Sequence, residues 1–491
     1  MDFRQNIKDL LKEVGPGRIL NTAYDTAWIA RLRDLDEGMG DRALEWLREN
    51  QLPDGSWGAA HPRYYHDRLI CTLSAMMALA SYGKPEDRPR WQRAQLALET
   101  ITKGLPADLS GETIGFEMIA PTLVTEAKSM GLDGVHWNGT LTQLERSRAA
   151  KIASLPGGMI SRQVTVAFSA EMAGPDGLRL LDVDHLQEAN GSIGHSPSAT
   201  AYYALYVRPE DPLAMQYLRD TVTGEGGAPD VAPFDVFEQA WTLWNISLIN
   251  GIDQETLELC QPHLNFLQNA WKPGVGTGFG AGYSPKDGDD SSLVFDVLRR
   301  YGCDVDLEAI LRYEQGDHYR CYELEANPSI SANIHVLGAL RQAGLPADHP
   351  SVQTAFQFLK RIQTIGLFWF DKWHSSPYYP TSHMIISAAG WLEDEIVDNA
   401  VRWVLETQNR DGSWGFYTPT AEETAYCLQA LVMWKRSGHT IPDGVIEQGA
   451  AWLLEHSTAP NPPLWIGKCL YCPVLVVRSA ILSALILAAE D

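Results

Sequence analysis

Gln408-Asn409-Arg410-Asp411-Gly412-Ser413-Trp414-Gly415 is matched, far upstream, by Gln51-Leu52-Pro53-Asp54-Gly55-Ser56-Trp57-Gly58. A third, degenerate copy reads Gln187-Glu188-Ala189-Asn190-Gly191-Ser192-Ile193 and lacks the tryptophan. Each copy is followed within about a dozen residues by a segment with helical apolar spacing. The Asp-Gly or Asn-Gly step makes a tight turn, the glutamine side chain can bond backbone at a helix end, and the tryptophan packs across to the next helix. A repeated word of this kind is a fastening between the outer and inner helices of an α/α barrel. It supports a fold and carries no chemistry of its own.

The rest of the chain agrees with an all-α protein. Apolar spacing of three and four recurs over 68–80, 199–206, 290–301, 334–343 and 423–434, and strand signals are few. Repeat copies lie on both sides of a middle region, as two homologous helical barrels would place them. The Gly-rich run Thr223-Gly-Glu-Gly-Gly-Ala-Pro-Asp230 is the expected boundary, and it leads into an aromatic helix around Trp241.

Composition narrows the class of partner. With 491 residues and 45% hydrophobic content the chain can bury sizeable cores in two or three domains. A net charge of -23 argues against a nucleic-acid partner, which is held through clustered Lys and Arg. Seven cysteines without a Cys-x-x-Cys pair suggest neither a zinc cage nor a disulfide framework, and a cytoplasmic location fits. The N-terminal residues read as a short amphipathic helix rather than a secretory signal. The apolar tail over 474–489 is interrupted by Arg478 and is shorter than the roughly 20 residues of a membrane span, so a buried terminal helix is expected and no integral membrane segment.

The stretch that stands out chemically is Tyr283-Ser-Pro-Lys-Asp287-Gly-Asp289-Asp290-Ser-Ser-Leu, with three carboxylates in four residues at the mouth of an apolar helix. Mutual repulsion and burial raise carboxyl pKa values, so one of the three can keep its proton at neutral pH and act as a Brønsted acid. The same residues also suit a helix N-terminus as caps facing the positive dipole end. No EF-hand ladder follows Asp290. The third acid needed for metal-triggered departure of a diphosphate is also missing.

The Asp-x-Asp-Asp cluster, the Gln-x-x-Asp-Gly-Ser-Trp repeats and Thr22-Ala-Tyr-Asp-Thr-Ala-Trp28 together resemble the class II diterpene cyclases of the copalyl diphosphate synthase type, over nearly the whole chain. Ser196-Pro-Ser-Ala-Thr200, Asp371-Lys-Trp373 and Leu464-Trp-Ile-Gly-Lys-Cys-Leu-Tyr471 are further words of that family. Within it the chain is most similar to bacterial enzymes that make rearranged halimadienyl (tuberculosinyl) or kolavenyl diphosphate. The resemblance implies two α/α barrels: residues 1–19 as first helix of a β domain, 20–225 as an inserted γ domain, and 226–491 as the remainder of β, with the active site between them.

It also implies a reaction. Geranylgeranyl diphosphate is the substrate, Asp289 protonates its terminal alkene, and Asp287 and Asp290 hold that proton in donating geometry. An alkene is a very weak base, so the acid must be desolvated and the cation kept from water, which aromatic faces do. Trp241 and Trp369 are candidate liners, with Phe234, Phe237 and Trp373. The diphosphate is retained, held by cations and Mg2+, whose preference for hard oxygen suits it. Lys151, Lys372 and Lys468 are candidates for the phosphates, and Asp108 and Glu112 fall in the family's acidic magnesium region. Copalyl-forming relatives use a His and an Asn to hold the water that takes the last proton; Phe168 and Asp230 stand there instead. His335 falls where plant relatives commonly carry Asn and joins these two as a candidate product-determining residue. A retained diphosphate implies a downstream terpene synthase or phosphatase. The alternatives are an unrearranged copalyl diphosphate synthase and an α/α-barrel carbohydrate-active enzyme, although glycosidases separate their carboxylates across the substrate rather than crowding them.

Overall fold

The computed structural model describes residues 2–132, 139–325 and 327–491. Helices dominate, and the strands among the described residues are two-residue pairings. Helices Asp235–Ser247, Gly288–Arg300, Ile330–Gln342, Tyr378–Ala388, Ala421–Arg436 and Val474–Glu490 each pack on the next, and the last returns to the first, which closes an inner ring. Outside it stand Gln254–Ala270, Pro350–Ile362, Glu395–Glu406, Val445–His456 and the N-terminal helix Phe3–Glu13, which fills the gap between the last inner helix and Gln254–Ala270.

Sequence pattern decides the layer. Pro350–Ile362 buries Val352, Ala355, Phe356 and Leu359, one stripe of spacing three and four, and leaves Lys360 in solvent. Ile330–Gln342 is buried continuously from Ser331 to Leu340 because it has neighbours on every side. The apolar tail is Val474–Glu490, an inner helix of this ring, and no described helix is long and apolar enough to cross a membrane.

A second ring is formed by Ala23–Ala30, Tyr65–Tyr82, Phe116–Ser129, the 3-10 segment Thr165–Ala173 and Pro197–Tyr202, which returns to Ala23–Ala30. Glu37–Glu49, Arg88–Gly104, Thr140–Ala153 and Pro212–Thr221 lie outside it. Each ring encloses its own apolar core, one drawing on residues 7–14 and 231–487, the other on 23–228 with Cys469. Where the chain passes between them, Asn21–Thr22 pairs antiparallel with Ala228–Pro229. The protein is thus all-α and built as two α/α barrels.

The repeated word does the fastening its composition predicts. Trp57 donates its indole N–H to Leu47 O at 2.8 Å, and its backbone N–H to Thr72 Oγ1 on the next inner helix at 3.0 Å. Trp414 repeats this with Val404 O at 2.7 Å and Thr424 Oγ1 at 3.0 Å. Gln408 Nε2 holds Gly412 O at 3.0 Å and Val445 O, on the next outer helix, at 2.9 Å. Gly412 is required because φ is +95° and a Cβ would lie 2.4 Å from Gln448 O.

The geometry also reveals a further copy, at a tryptophan that the sequence suggests as a cavity liner. Trp369 donates its indole N–H to Leu359 O at 2.9 Å and its backbone N–H to Thr381 Oγ1 at 3.2 Å, while Gln363 Nε2 reaches Ile396 O at 2.8 Å. Trp369 is therefore a barrel fastener and not a cavity liner. Its turn, Thr364-Ile-Gly-Leu, lacks the Asp-Gly-Ser signature, which hid the repeat.

Candidate active site

A cavity of about 800 Å³, open mouth included, lies between the two barrels. Asp289 and Asp290 line it from the first ring, Ile114, Thr165 and Phe168 from the second, and Asp230 and Gly467 where the two meet. Most of the remaining wall is aromatic. Helix Asp235–Ser247 projects Phe234, Phe237 and Trp241 into a stack with centroid separations of 4.2 and 3.9 Å. Spacing of three and four puts these rings on one helix face. Trp373 is the fourth liner expected from sequence that the cavity contains, and Trp369 is the one it lacks. Phe279, Tyr283, Tyr322, Tyr379, Trp465 and Tyr471 were missed, because they come from loops and other helices that only folding gathers.

The acid cluster occupies a helix start. Asp287 is the N-cap of Gly288–Arg300 and accepts the Asp290 N–H at 2.7 Å. The capping role open in the sequence is therefore filled by Asp287. Burial is the main force on Asp290, and with Asp287 and Asp289 beside it the carboxyl is pushed well above the usual range. Asp287 is pushed by burial to about 7, with Asp289 adding to the rise and the Asp290 N–H opposing it. The cluster therefore keeps a proton at neutral pH, shared among neighbours.

Asp289 differs from its neighbours in its partners, and Asp290 shares its place in the cavity wall. Asp289 lines the cavity, whereas Asp287 is wholly buried behind it. Asp289 Oδ1 and His335 Nδ1 form a short hydrogen bond, and Ser331 Oγ donates to Asp289 Oδ2 at 3.4 Å. This corrects the expectation for His335, which is 3% exposed, packs edge-on to Trp241 at 5.5 Å and bonds Asp289 rather than lining the cavity. The last ring of the aromatic stack thus touches the imidazole bonded to Asp289.

The far side of the cavity contains a second buried cluster. Lys468, fully buried, donates to Glu171 Oε1, Ser196 Oγ and Ser198 Oγ, each at 2.7 Å. Its ammonium also lies 4.5 Å from the Phe168 ring centroid. With its hydrogen bonds taken by the protein and no place in the cavity wall, Lys468 ties the barrels together and is corrected as a phosphate ligand. Asp230 accepts the Lys468 backbone N–H at 3.0 Å through Oδ2, and its Oδ1 is buried without a hydrogen-bond partner among the described residues. Burial and nearby Asp25 push Asp230 well above the usual carboxyl range.

The remaining candidates are not in the cavity wall, although several adjoin its residues in the chain. Lys151 Nζ pairs with Glu117 at 2.6 Å, and Glu112 and Glu117 stand on either side of the cavity residue Ile114. Lys372 pairs with Glu325, donates to Asn327 O at 2.8 Å and directly precedes the cavity residue Trp373. Asp108 is otherwise engaged: its Oδ2 accepts the His66 backbone N–H at 2.9 Å and meets His66 Nδ1 at 2.7 Å. One of its two oxygens is thereby committed to His66. The exposed Glu112, with Glu117 close by, offers the hard oxygens that Mg2+ takes.

Two helical barrels with a proton-bearing carboxyl cluster in an aromatic cavity between them define a protonation-initiated cyclase. The squalene-hopene cyclase C-terminal domain family matches residues 321–455. The chain is 44% identical to the type B diterpene cyclase of Mycobacterium tuberculosis, with 99% of each chain covered. It is 31% identical to the ent-copalyl diphosphate synthase of Streptomyces sp. (strain KO-3988), over 94% of this chain and 91% of that one. The solved ent-copalyl diphosphate synthase from Streptomyces platensis superposes with a TM-score of 0.80 at 27% identity, with 100% of both chains covered. The protein belongs to the bacterial class II diterpene cyclases.

Proposed function

We propose that the protein cyclises geranylgeranyl diphosphate to a rearranged bicyclic diphosphate of the halimadane or clerodane type, such as halimadienyl or kolavenyl diphosphate. The observation that carries this reading is the Asp289 carboxyl, bonded to His335 at the edge of an aromatic cavity. A proton passes from Asp289 to the terminal alkene carbon, leaving a carboxylate and a tertiary cation. The Phe234, Phe237 and Trp241 faces stabilise the positive charge as the rings close and keep water from it.

The skeleton follows from the far wall. No imidazole stands at Phe168, so the decalin cation survives long enough for 1,2-hydride and methyl shifts before it loses a proton. The substrate's diphosphate lies at the cavity mouth, where Lys151 and Lys372 can exchange their carboxylate partners for phosphate. Mg2+, when bound, neutralises phosphate charge there; Glu112 and Glu117 are the residues that would hold it. Because the phosphates remain on the product, a downstream terpene synthase or phosphatase must remove them.

Incubation with geranylgeranyl diphosphate and magnesium, followed by dephosphorylation and mass spectrometry and NMR, tests the proposal. One rearranged bicyclic alcohol is expected, with no inorganic diphosphate released during turnover. Asp289→Asn, nearly isosteric but unable to give up a proton, should abolish turnover while leaving the helical circular-dichroism spectrum unchanged. Stoichiometric diphosphate release, or near-native activity of the folded Asp289→Asn protein, would sink it.

A further inference from the structure

Behind the acid, the hydrogen-bonded chain continues one residue deeper than the reaction above requires. His335 Nε2 meets His383 Nδ1 at 3.0 Å. His383 sits on the inner helix Tyr378–Ala388, is 1% exposed and stacks on Trp244 with centroids 4.5 Å apart. Trp244 is itself fixed, donating its indole N–H to Asp296 Oδ2 at 3.1 Å. The other groups around the ring are Tyr379, Tyr426 and His335. Burial, with His335 and His374 nearby, pushes the His383 imidazole well below its usual range and so favours the neutral ring.

A neutral His383 has a consequence for the acid. Asp289 can hand its proton to an alkene only if that proton is on the oxygen not bonded to the imidazole. If His335 offered a bare Nδ1, it would draw the proton onto Oδ1 and hold it there. The productive arrangement has His335 donating Nδ1–H to Asp289 Oδ1, which leaves His335 Nε2 bare and in need of a donor. Which ring nitrogen of a histidine carries its proton is set by the bond the other one makes.

We propose that His383 is a positioning residue for the acid: its Nδ1–H donates to His335 Nε2, fixes His335 as the Nδ1–H tautomer, and so keeps the transferable proton on Asp289 Oδ2. During the step the proton leaves Oδ2 for the alkene carbon and both imidazoles keep theirs. His335 Nδ1–H then donates to the full carboxylate that remains. The inference rests on Asp289 being the acid, as proposed above.

Two variants separate the hydrogen bond from the packing. His383→Phe keeps a ring on Trp244 and removes the donor, whereas His383→Asn gives up the ring and can return an N–H near the Nδ1 position. With geranylgeranyl diphosphate as substrate, His383→Phe is expected to lower kcat at least tenfold with KM unchanged and to displace the pH profile of kcat. His383→Asn should recover most of the loss. A purely structural His383 predicts the reverse order, with Phe better than Asn, and that order would overturn the proposal.

A measurement on the unaltered protein needs neither turnover nor a folded variant. In 15N-histidine-labelled enzyme, His383 and His335 should both be neutral and protonated at Nδ1, with a coupling across the hydrogen bond between His335 Nε2 and His383 Nδ1. A proton on His335 Nε2 would overturn the inference even if the cyclase reading stands. Conversely, an enzyme with this tautomer pattern that never turns over the diphosphate would sink the cyclase reading and the positioning role built on it, and leave only the tautomer assignment.

Discussion

Replacing Asp287 by Asn should stabilise the fold in alkaline solution and much less in acid. Asp287 is fully buried, and its Oδ2 has no hydrogen-bond partner among the described residues. Burial, opposed by the Asp290 N–H and assisted by Asp289, lifts the carboxyl from 3.8 to about 7. A carboxyl raised on folding contributes most to stability below its unfolded pKa. That contribution is lost as the pH climbs towards the folded value, because the unfolded chain ionises first. Between pH 5 and 7 the loss extends over two pH units at about 1.4 kcal/mol each, or about 3 kcal/mol, and it levels off above 7. Asparagine has no proton to lose and still caps the helix. The stability advantage of Asp287→Asn over the native protein should therefore be about 3 kcal/mol greater at pH 8 than at pH 5, or nearer 2 where Asp290 takes up part of the released charge. Urea titrations followed by tryptophan fluorescence at the two pH values measure it. An advantage that does not change with pH, or that is larger at pH 5, would refute the reasoning that this carboxyl is held neutral by the fold.

Two further outcomes follow from the far wall of the cavity. Lys468→Met removes the cation from a fully buried cluster and leaves its ion-pair partner Glu171 uncompensated. A loss of about 3–5 kcal/mol is expected by denaturant titration at pH 7, and a loss under about 1 kcal/mol would show that the cluster is neutral without Lys468. Phe168→His, alone and with Asp230→Asn, puts a base or a base-held water beside the decalin cation. The product should move towards an unrearranged labdane skeleton by mass spectrometry and NMR, and an unchanged skeleton would free Phe168 of any role in product choice.

Local rules made much of the architecture legible. The Gln-x-x-Asp-Gly-Ser-Trp word announces its own geometry, because a turn that needs positive φ, a glutamine reaching backbone and an indole N–H seeking a carbonyl are all encoded within a few residues. The Asp-x-Asp-Asp run likewise declares both a cap and a proton store, since neighbouring carboxylates interact wherever the chain goes. The Trp369 copy escaped notice because its turn uses other residues to reach the same hydrogen bonds.

What the sequence by itself determined is therefore the set of parts: helices of two layers, their fasteners, and an acid cluster at the start of one inner helix. Only the tertiary structure decided how those parts are used. Asp289 and His335 are separated by 46 residues in the chain, and His335 and His383 by 48, so no local pattern links them. Lys468 reads as an available cation in sequence and proves to be a buried one shared by Glu171, Ser196 and Ser198, 297 to 270 residues away. The physical reason is that local spacing fixes backbone conformation and which face is apolar, whereas the partner of a charged or proton-carrying group is set by which helices the closed rings bring against it.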